Sequence, residues 1–495
     1  MARDTLTLLR PLWHDVHPPR AQPATRTPTS RQEAMRHRII ALVLNALALV
    51  CGCSDDSSTP QDEHPATRFS RLLGSYGQHT RMYDVLVMSD GTRVVAGTFR
   101  GVLHITGSVD SVGATTTDDF FLAGFRPDGS VEWKRTFASG NLQTCKIARD
   151  GADNFYLAGY YGGNTNVGGT SLTGYGLTDA MIARLDKNGD PVWVQGTGTT
   201  DNDFARDIVT ASDAGVFVCG TAGDEMTIAG EDLGQVGKTT GYLVKVRPDG
   251  VGNWAATAYT TVQSTCDAVA RAANGDVLVA GSYGGTVDIG GEILPAGTGS
   301  LSAFMARFTA AGTPVRNVRM ASLSTGYVLP SGIMHANGKI VVIGEFTGTA
   351  DFEVNTGAGE YTSAGGTNSF VALYNDDGSF QWARQFGSGD IAYIAAIAYT
   401  GSDLVIAGWF EGSLTFDATT LTSDGLTDAF VARLNLGGDV TSARKMGSFA
   451  TEYVYGLAAS GGRPILIGTT MNNITFPNGD IRKPYGDEDG FVYQD

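Results

Sequence analysis

The chain has 495 residues, with 35 Lys+Arg against 51 Asp+Glu and a net charge of −16. The first 52 residues hold 7 basic and 3 acidic side chains, which leaves 28 and 48 for the remainder, a net of −20. A body so acidic argues against nucleic acid or an anionic membrane surface as its partner, and 66 glycines with few charges fit turn-dense β structure rather than disorder.

In chain order, residues 1–34 are rich in Pro, Arg and Thr and read as an over-extended start, with Met35 the expected initiator. Met35-Arg-His-Arg38 is basic, and Ile39 to Val50 is an apolar run of 12 interrupted by Asn45. Twelve residues are too few to span a bilayer and suit the core of a secretory signal, here residues 35–53. Val50-Cys51-Gly52-Cys53 resembles a bacterial lipobox, which implies lipidation at Cys53; Cys51 is off-pattern. The alternative is an ordinary cleaved signal without lipid. Residues 54–68 form a polar, acidic, Pro-containing linker.

From residue 69 onward one phrase recurs. Asp428-Ala-Phe-Val-Ala-Arg-Leu434 reappears as Asp119 to Phe125, Asp179 to Leu185, Gly241 to Val246, Ser302 to Phe308, Ser369 to Tyr374 and Asp489 to Tyr493. The turn glycines that follow, Gly129, Gly189, Gly250, Gly312, Gly378 and Gly438, are spaced by 60, 61, 62, 66 and 60 residues. Four are followed four residues later by Trp133, Trp193, Trp254 and Trp382, the other two by Arg316 and Ser442. A β-branched run ends seven times on a glycine: Gly97, Gly159, Gly220, Gly281, Gly344, Gly408 and Gly468. Fixed-period repetition of this kind marks a repeat architecture.

Each repeat resolves into four short strands: a (around Ile147 or Ala268), b (Val277 to Gly281), c (the Phe-Val-Ala-Arg-Leu phrase) and d (the Trp-centred stretch, as Gln381 to Phe386). Asx-Gly pairs such as Asn274-Gly275 and Asp377-Gly378 lie between a and b and between c and d, where tight hairpins need positive φ. No sustained helical period occurs. The strand-b glycine reads as a bare spot against a bulky ring where neighbouring blades press together. The expected fold is therefore all-β: a seven-bladed β-propeller of four-stranded antiparallel blades over 69–495. Residues 69–77 resemble a strand d with no strand c before it, and the C-terminus ends on a strand c. The ring is expected to close by the N-terminal strand completing the last blade, which leaves no open edge. The alternative is an open solenoid of seven β units.

The Ala-Gly strand, Asp-Ala-Phe-Val-Ala-Arg-Leu, the Asx-Gly turn and Trp382-Ala-Arg-Gln-Phe-Gly-Ser-Gly389 together resemble the seven-bladed β-propeller repeat family of bacterial secreted and lipid-anchored proteins. The resemblance implies the fold and an extracytoplasmic place, lipid-anchored at the outer membrane or cell surface. The family carries no shared catalytic motif, so no functional residue transfers. The period departs from the shorter WD40 repeat, and Asp186 to Trp193 only faintly resembles quinoprotein and outer-membrane assembly propellers.

The search for chemistry is mostly negative. His79, His104 and His335 fall in unrelated repeat contexts, and neither G-x-S-x-G nor H-E-x-x-H occurs. Gly237-Lys-Thr239 lacks the glycine of a phosphate loop, and Asp186 to Asp190 lacks the downstream acid of a calcium loop. Asp487-Glu-Asp489 is an acidic cluster that reads as a weak surface cation site at most. Cys145, Cys219 and Cys266 read as small buried apolar residues on three different blades. No metal, cofactor or catalytic residue is expected.

What remains is one face, where the long b–c connections (roughly 284–301, 348–367 and 411–427) and the d–a junctions meet. Tyr83, Phe204, Tyr327, Tyr393 and Tyr453 recur near the start of strand a, with Asp201, Asp203, Asp390 and Glu452 just before. They are expected to form an aromatic and acidic collar at the mouth of the central channel, suited to a protein, peptide or glycan of the cell envelope. The competing reading is that these rings pack adjacent blades. The chain is thus expected to be a monomeric binding or scaffold module. A glycan-active hydrolase or lyase, or a quinone-cofactor enzyme, is the alternative.

Overall fold

The computed structural model describes residues 68–494 except 77, 107–111, 138–141, 235–238, 355–356 and 388–389. The N-terminal stretch, the signal with Cys53 and nearly all of the linker lie outside the described residues, as do Gly237, Lys238 and the side chain of Cys145. Every described strand lies in one compact unit, Glu63–Asp495. Among the described residues there is no helix, so none is long and apolar enough to cross a membrane.

The sequence period becomes an antiparallel meander a-b-c-d. In repeat 1 the strands are Thr80–Val87, Arg93–Ile105, Val112–Phe125 and Val131–Phe137. In repeat 3 they are Phe204–Thr210, Val216–Ala222, Thr240–Val246 and Gly252–Tyr259. Strand a of repeat 4 is split into Gln263–Ser264 and Ala268–Arg271. The last repeat supplies Glu452–Ser460, Arg463–Thr470 and Asp489–Gln494 as a, b and c. Phe69–Gly74 pairs antiparallel with its strand c, Phe69 opposite Gln494 and Leu73 opposite Gly490. The sheets stand in a β-propeller arrangement. Strand a of each repeat touches strand a of the next, and that of the seventh touches that of the first.

Three devices join successive repeats. The first is the strand-d aromatic. Trp193 Nε1 donates to Pro248 O at 2.9 Å, Trp254 to Ala310 O at 3.1 Å and Trp382 to Leu436 O at 3.0 Å, each a carbonyl of the next repeat's c–d turn. The ring lies flat enough on the turn glycine that a Cβ on Gly312 would stand 2.7 Å from Trp254. Phe69 occupies the same place against Gly129 of repeat 1, and Arg316 against Gly378. A bare turn glycine is needed there by contact as well as by positive φ. The second device is a carboxylate: Asp84 accepts from Ile147 N at 2.9 Å and Asp207 from Val269 N at 2.8 Å, each reaching the next strand a.

The third was not visible in the sequence. Several b–c connections carry hairpins rather than open loops, and those of repeats 4 and 5 pair with the outer strand of the preceding repeat. Val287–Ile289 adds to strand d of repeat 3 (Ala258 opposite Ile289), and Thr349–Asp351 adds to strand d of repeat 4 (Ala321 opposite Asp351). In repeat 1 the overlong strand b does the same to Phe69–Gly74 (Leu73 opposite Ile105). Strand d is the edge of each sheet, and an uncovered edge invites aggregation. The echoing apolar pairs Val287/Ile289 and Leu414/Phe416 are buried beneath these hairpins.

The strand-b glycine also has a different cause from the one expected. A Cβ on Gly220, Gly281, Gly408 or Gly468 would come within 1.8 to 1.9 Å of a carbonyl oxygen of strand a in the same blade, and in Gly281 also 2.8 Å from Phe304. The crowding comes from within the blade, where strand a carries a β-bulge, and not from the neighbouring blade.

Candidate binding site at the loop face

The bulge sets where the collar residues go. Phe204, Tyr393 and Tyr453 share one ladder position, opposite Thr221, Trp409 and Thr469, the residues just after the strand-b glycine. Tyr83 is instead the unpaired bulge residue, equivalent to Arg206 and Tyr455. Tyr327 precedes strand a of repeat 5 (Val328–Ala336) and is bridged in parallel to Leu301. The five rings therefore occupy three different positions, all at the inner end of the b–c/d–a face.

The four predicted acids divide. Asp201 and Asp390 are exposed. Asp203 and Glu452 are fully buried and hold their own d–a junctions. Asp203 accepts from Thr199 N at 2.6 Å, Thr199 Oγ1 at 2.9 Å and Gly223 N at 2.8 Å. Glu452 accepts from Ser448 N at 2.9 Å, Ser448 Oγ at 2.7 Å and Thr470 Oγ1 at 3.1 Å. Burial pushes both carboxyls up against these hydrogen bonds, Glu452 to about 7. The Asp that opens several c phrases works similarly from below: Asp179 accepts from Tyr175 N and Asp428 from Asp424 N, closing the b–c connection.

Across repeats 6 and 7 the rings are continuous. Tyr393 stacks on Trp409 (centroids 5.4 Å apart, planes 28°), Trp409 meets Tyr453 edge-on (5.3 Å, 83°), and Tyr453 lies 5.9 Å from Tyr455. Tyr393, Trp409 and Tyr455 are half-buried, Tyr453 more deeply placed. On the other side Tyr83 bonds Thr98 Oγ1 at 2.9 Å, and Phe204 lies beneath the Arg206 guanidinium at 4.7 Å and against Tyr160. Burial raises the Tyr83 hydroxyl to about 12 and that of Tyr393 well above its ordinary value.

Three further carboxylates stand at this inner rim; two were not anticipated, and the third, Glu488, belongs to the Asp487-Glu-Asp489 cluster, which is no surface feature because Glu488 and Asp489 are buried. Asp267 pairs with Arg206 at 3.6 Å, both nearly buried. Glu488 pairs with Arg81 at 3.1 Å. Glu345 is 9 % exposed, and its polar neighbour is the Tyr327 hydroxyl. Burial raises the Glu345 carboxyl to about 7, opposed by Tyr327.

Glu345 and Trp409 had a signal in the sequence. The residue after the strand-b glycine is Thr98, Tyr160, Thr221, Ser282, Glu345, Trp409 and Thr469 in turn. Four repeats place a small hydroxyl there, and two adjacent repeats substitute an acid and an indole. Reading the repeats column by column at that position picks out both.

Two crevices open elsewhere, between blades. One of about 400 Å³ is lined by Val194 to Thr197 and Thr227 to Gly230. The other, of about 260 Å³, lies on the opposite face beside Arg307, Val315 and Asp376. Neither gathers groups that could act together on a substrate. Among the described residues no group of three His, Cys, Asp or Glu could hold a metal ion. Cys219 and Cys266 are buried free thiols, raised by that burial.

No family model matches the chain. An uncharacterized WD repeat-containing protein of Acanthamoeba polyphaga mimivirus is 22% identical over 194 residues, 33% of this chain and 14% of its own. Regulatory protein FlaEY of Caulobacter vibrioides is 23% identical over 357 residues, 67% of this chain and 36% of its own. The chain thus spans little more than a third, at most, of these curated relatives. Among solved structures, virginiamycin B lyase of Staphylococcus aureus is similar at 10% identity with a TM-score of 0.39, over 86% of this chain and 98% of the lyase. None of these likenesses carries an activity to this chain; the strand pairing itself makes it a β-propeller.

Proposed function

We propose that this chain is a lipid-anchored extracytoplasmic β-propeller of seven blades that binds a protein, peptide or glycan of the cell envelope through its b–c/d–a face. The observation that carries the reading is the continuous wall of Tyr393, Trp409, Tyr453 and Tyr455, all but Tyr453 half-buried, beside the buried Glu345, at the place where the repeat breaks its own pattern. Rings that only packed blades together would have no reason to stay accessible or to gather acids around them. Closure of the ring is supported by the seventh-to-first junction, which repeats the internal ones. Phe69 packs on Gly129 as Trp254 packs on Gly312. The parallel bridge between His79 and Glu488 matches those between Thr178 and Asn202 and between Thr427 and Thr451.

Phe69 pairs with Gln494 at the c–d end of the last blade, so the first described strand begins on the face opposite the aromatic wall.

The test is affinity capture from envelope extract and glycan arrays, comparing the chain from Glu63 with a Tyr393→Ala/Trp409→Ala/Tyr453→Ala variant that still folds. A ligand held by the first and lost by the second supports the reading; equal capture by both refutes it. For the anchor, Cys53→Ser in the full chain should abolish palmitate labelling and release the protein from the envelope.

A second reading draws on Glu345 alone. A buried carboxyl at about 7 beside two tyrosines has the character of a general acid, as a glycan-active enzyme would require. Turnover of an envelope polysaccharide that disappears in Glu345→Gln would favour it over simple binding.

A further inference from the structure

Of the three further carboxylates at the inner rim, two come with a cation and one does not. Asp267 has Arg206, and Glu488 has Arg81. Glu345 is more than nine-tenths buried, faces Tyr327 and Tyr393, and has no basic side chain paired with it among the described residues. A buried charge without a counter-charge is costly, and proteins retain one chiefly where something else supplies the partner.

The surroundings say what that partner is. Tyr327 bonds the carboxyl, Tyr393 stands beside both, and Trp409 stacks on Tyr393; aromatic rings of this kind attract a cation. Trp409 Nε1 makes no hydrogen bond among the described residues, unlike the three strand-d indoles that donate to the next repeat. The position itself is an accessory to the fold rather than a need of it, since Thr98, Thr221, Ser282 and Thr469 serve there in other blades. Asp267, the other carboxylate acting on Tyr393, is already paired with Arg206.

We infer that the Glu345 carboxylate and the Tyr327–Tyr393–Trp409 rings form a socket for one basic side chain, a lysine or arginine, presented by a peptide or protein. This deepens the reading of the mouth as a binding site and rests on it. A long, slim side chain can pass the half-buried rings and place its charge on the recessed carboxylate. The body's own net charge of −20 beyond residue 52 draws a basic ligand from a distance.

The test is calorimetric titration of the chain from Glu63 with a tri-lysine peptide, with an acetyl-norleucine amide as the uncharged control and a glucosamine trimer as the competing class. The tri-lysine peptide should bind and the norleucine analogue should not. Glu345→Gln should weaken binding at least tenfold while raising the melting temperature, because it removes a buried charge. A carboxylate kept only for structure would lower it. Trp409→Ala should weaken binding several-fold. Equal binding of lysine and norleucine probes, or undiminished binding by Glu345→Gln, overturns the inference. Stronger, Glu345-dependent binding of the glucosamine trimer overturns it in favour of an amino sugar. An envelope ligand lost by the triple-aromatic variant but indifferent to Glu345→Gln sinks the socket and leaves the binding face standing. Capture of nothing at all sinks both.

Discussion

Replacing Gly281 by alanine isolates the contact that shapes every blade. Gly281 sits in strand b with an ordinary backbone conformation, so alanine meets no φ penalty there. Its Cβ would lie 1.9 Å from Thr265 O and 2.8 Å from the Phe304 ring. An ordinary carbon–oxygen contact is about 3.3 Å, so strand a would have to retreat by about 1.4 Å. That retreat would pull the bulge away from strand b and unseat Cys266 and Ala268, both buried. The expected cost is about 2–4 kcal/mol, that of a forced core displacement. In a body of this size that corresponds to a melting shift of only a few degrees, so urea unfolding is the better assay. Gly151 is the control: it is exposed, its φ is not positive and nothing lies within 4 Å of an added Cβ. Gly151→Ala should therefore be neutral or stabilising by about 0.4–1 kcal/mol. A Gly281→Ala protein within about 0.5 kcal/mol of the parent would refute the crowding argument.

The acids raised by burial set a pH dependence. Glu345 and Glu452 stand at about 7, Asp207 and Asp489 at about 6, against ordinary values near 4. Each binds its proton more tightly folded than unfolded, so stability declines as pH rises from about 4 to about 7. Melting at pH 5 should exceed that at pH 7.5, and a flat profile would contradict the burial assigned to these groups. Below that window the order reverses, because Asp118, Asp128 and Asp186 are held below their ordinary values and lose their partners on protonation. Trp382→Phe keeps the ring but removes the bond to Leu436 O, and should cost about 1–2 kcal/mol by urea titration. Cys219 and Cys266 should resist a thiol reagent in the native protein and react only on unfolding; fast native labelling would show that repeats 3 and 4 are not packed as described.

Much of this architecture is local and therefore legible in the chain. Asx-Gly pairs set the hairpins, β-branched and aromatic runs set the strands, and the period set the repeat, since each four-stranded unit carries the same short-range instructions. Even the partner of Phe69–Gly74 could be inferred, because a lone strand d at one end answers a missing strand d at the other. The collar was legible only as a tendency of aromatics to precede strand a. One extra residue in the bulge moved Tyr83 into a different position from Tyr393 and Tyr453, and burial turned Asp203 and Glu452 from ligands-in-waiting into clamps of their own junctions.

The sequence by itself determined the unit, its repetition and its acidity, because these rest on neighbours within a few residues of one another. The tertiary structure alone decided which edge each b–c hairpin covers, which carbonyl makes the strand-b glycine obligatory, and which carboxylates find a counter-charge. The first and last depend on groups from different blades meeting, and the second on the bulge of strand a closing over strand b of its own blade. Glu345 and Asp267 are both acids at one rim; only the packing tells that Arg206 reaches one and that no such cation among the described residues reaches the other.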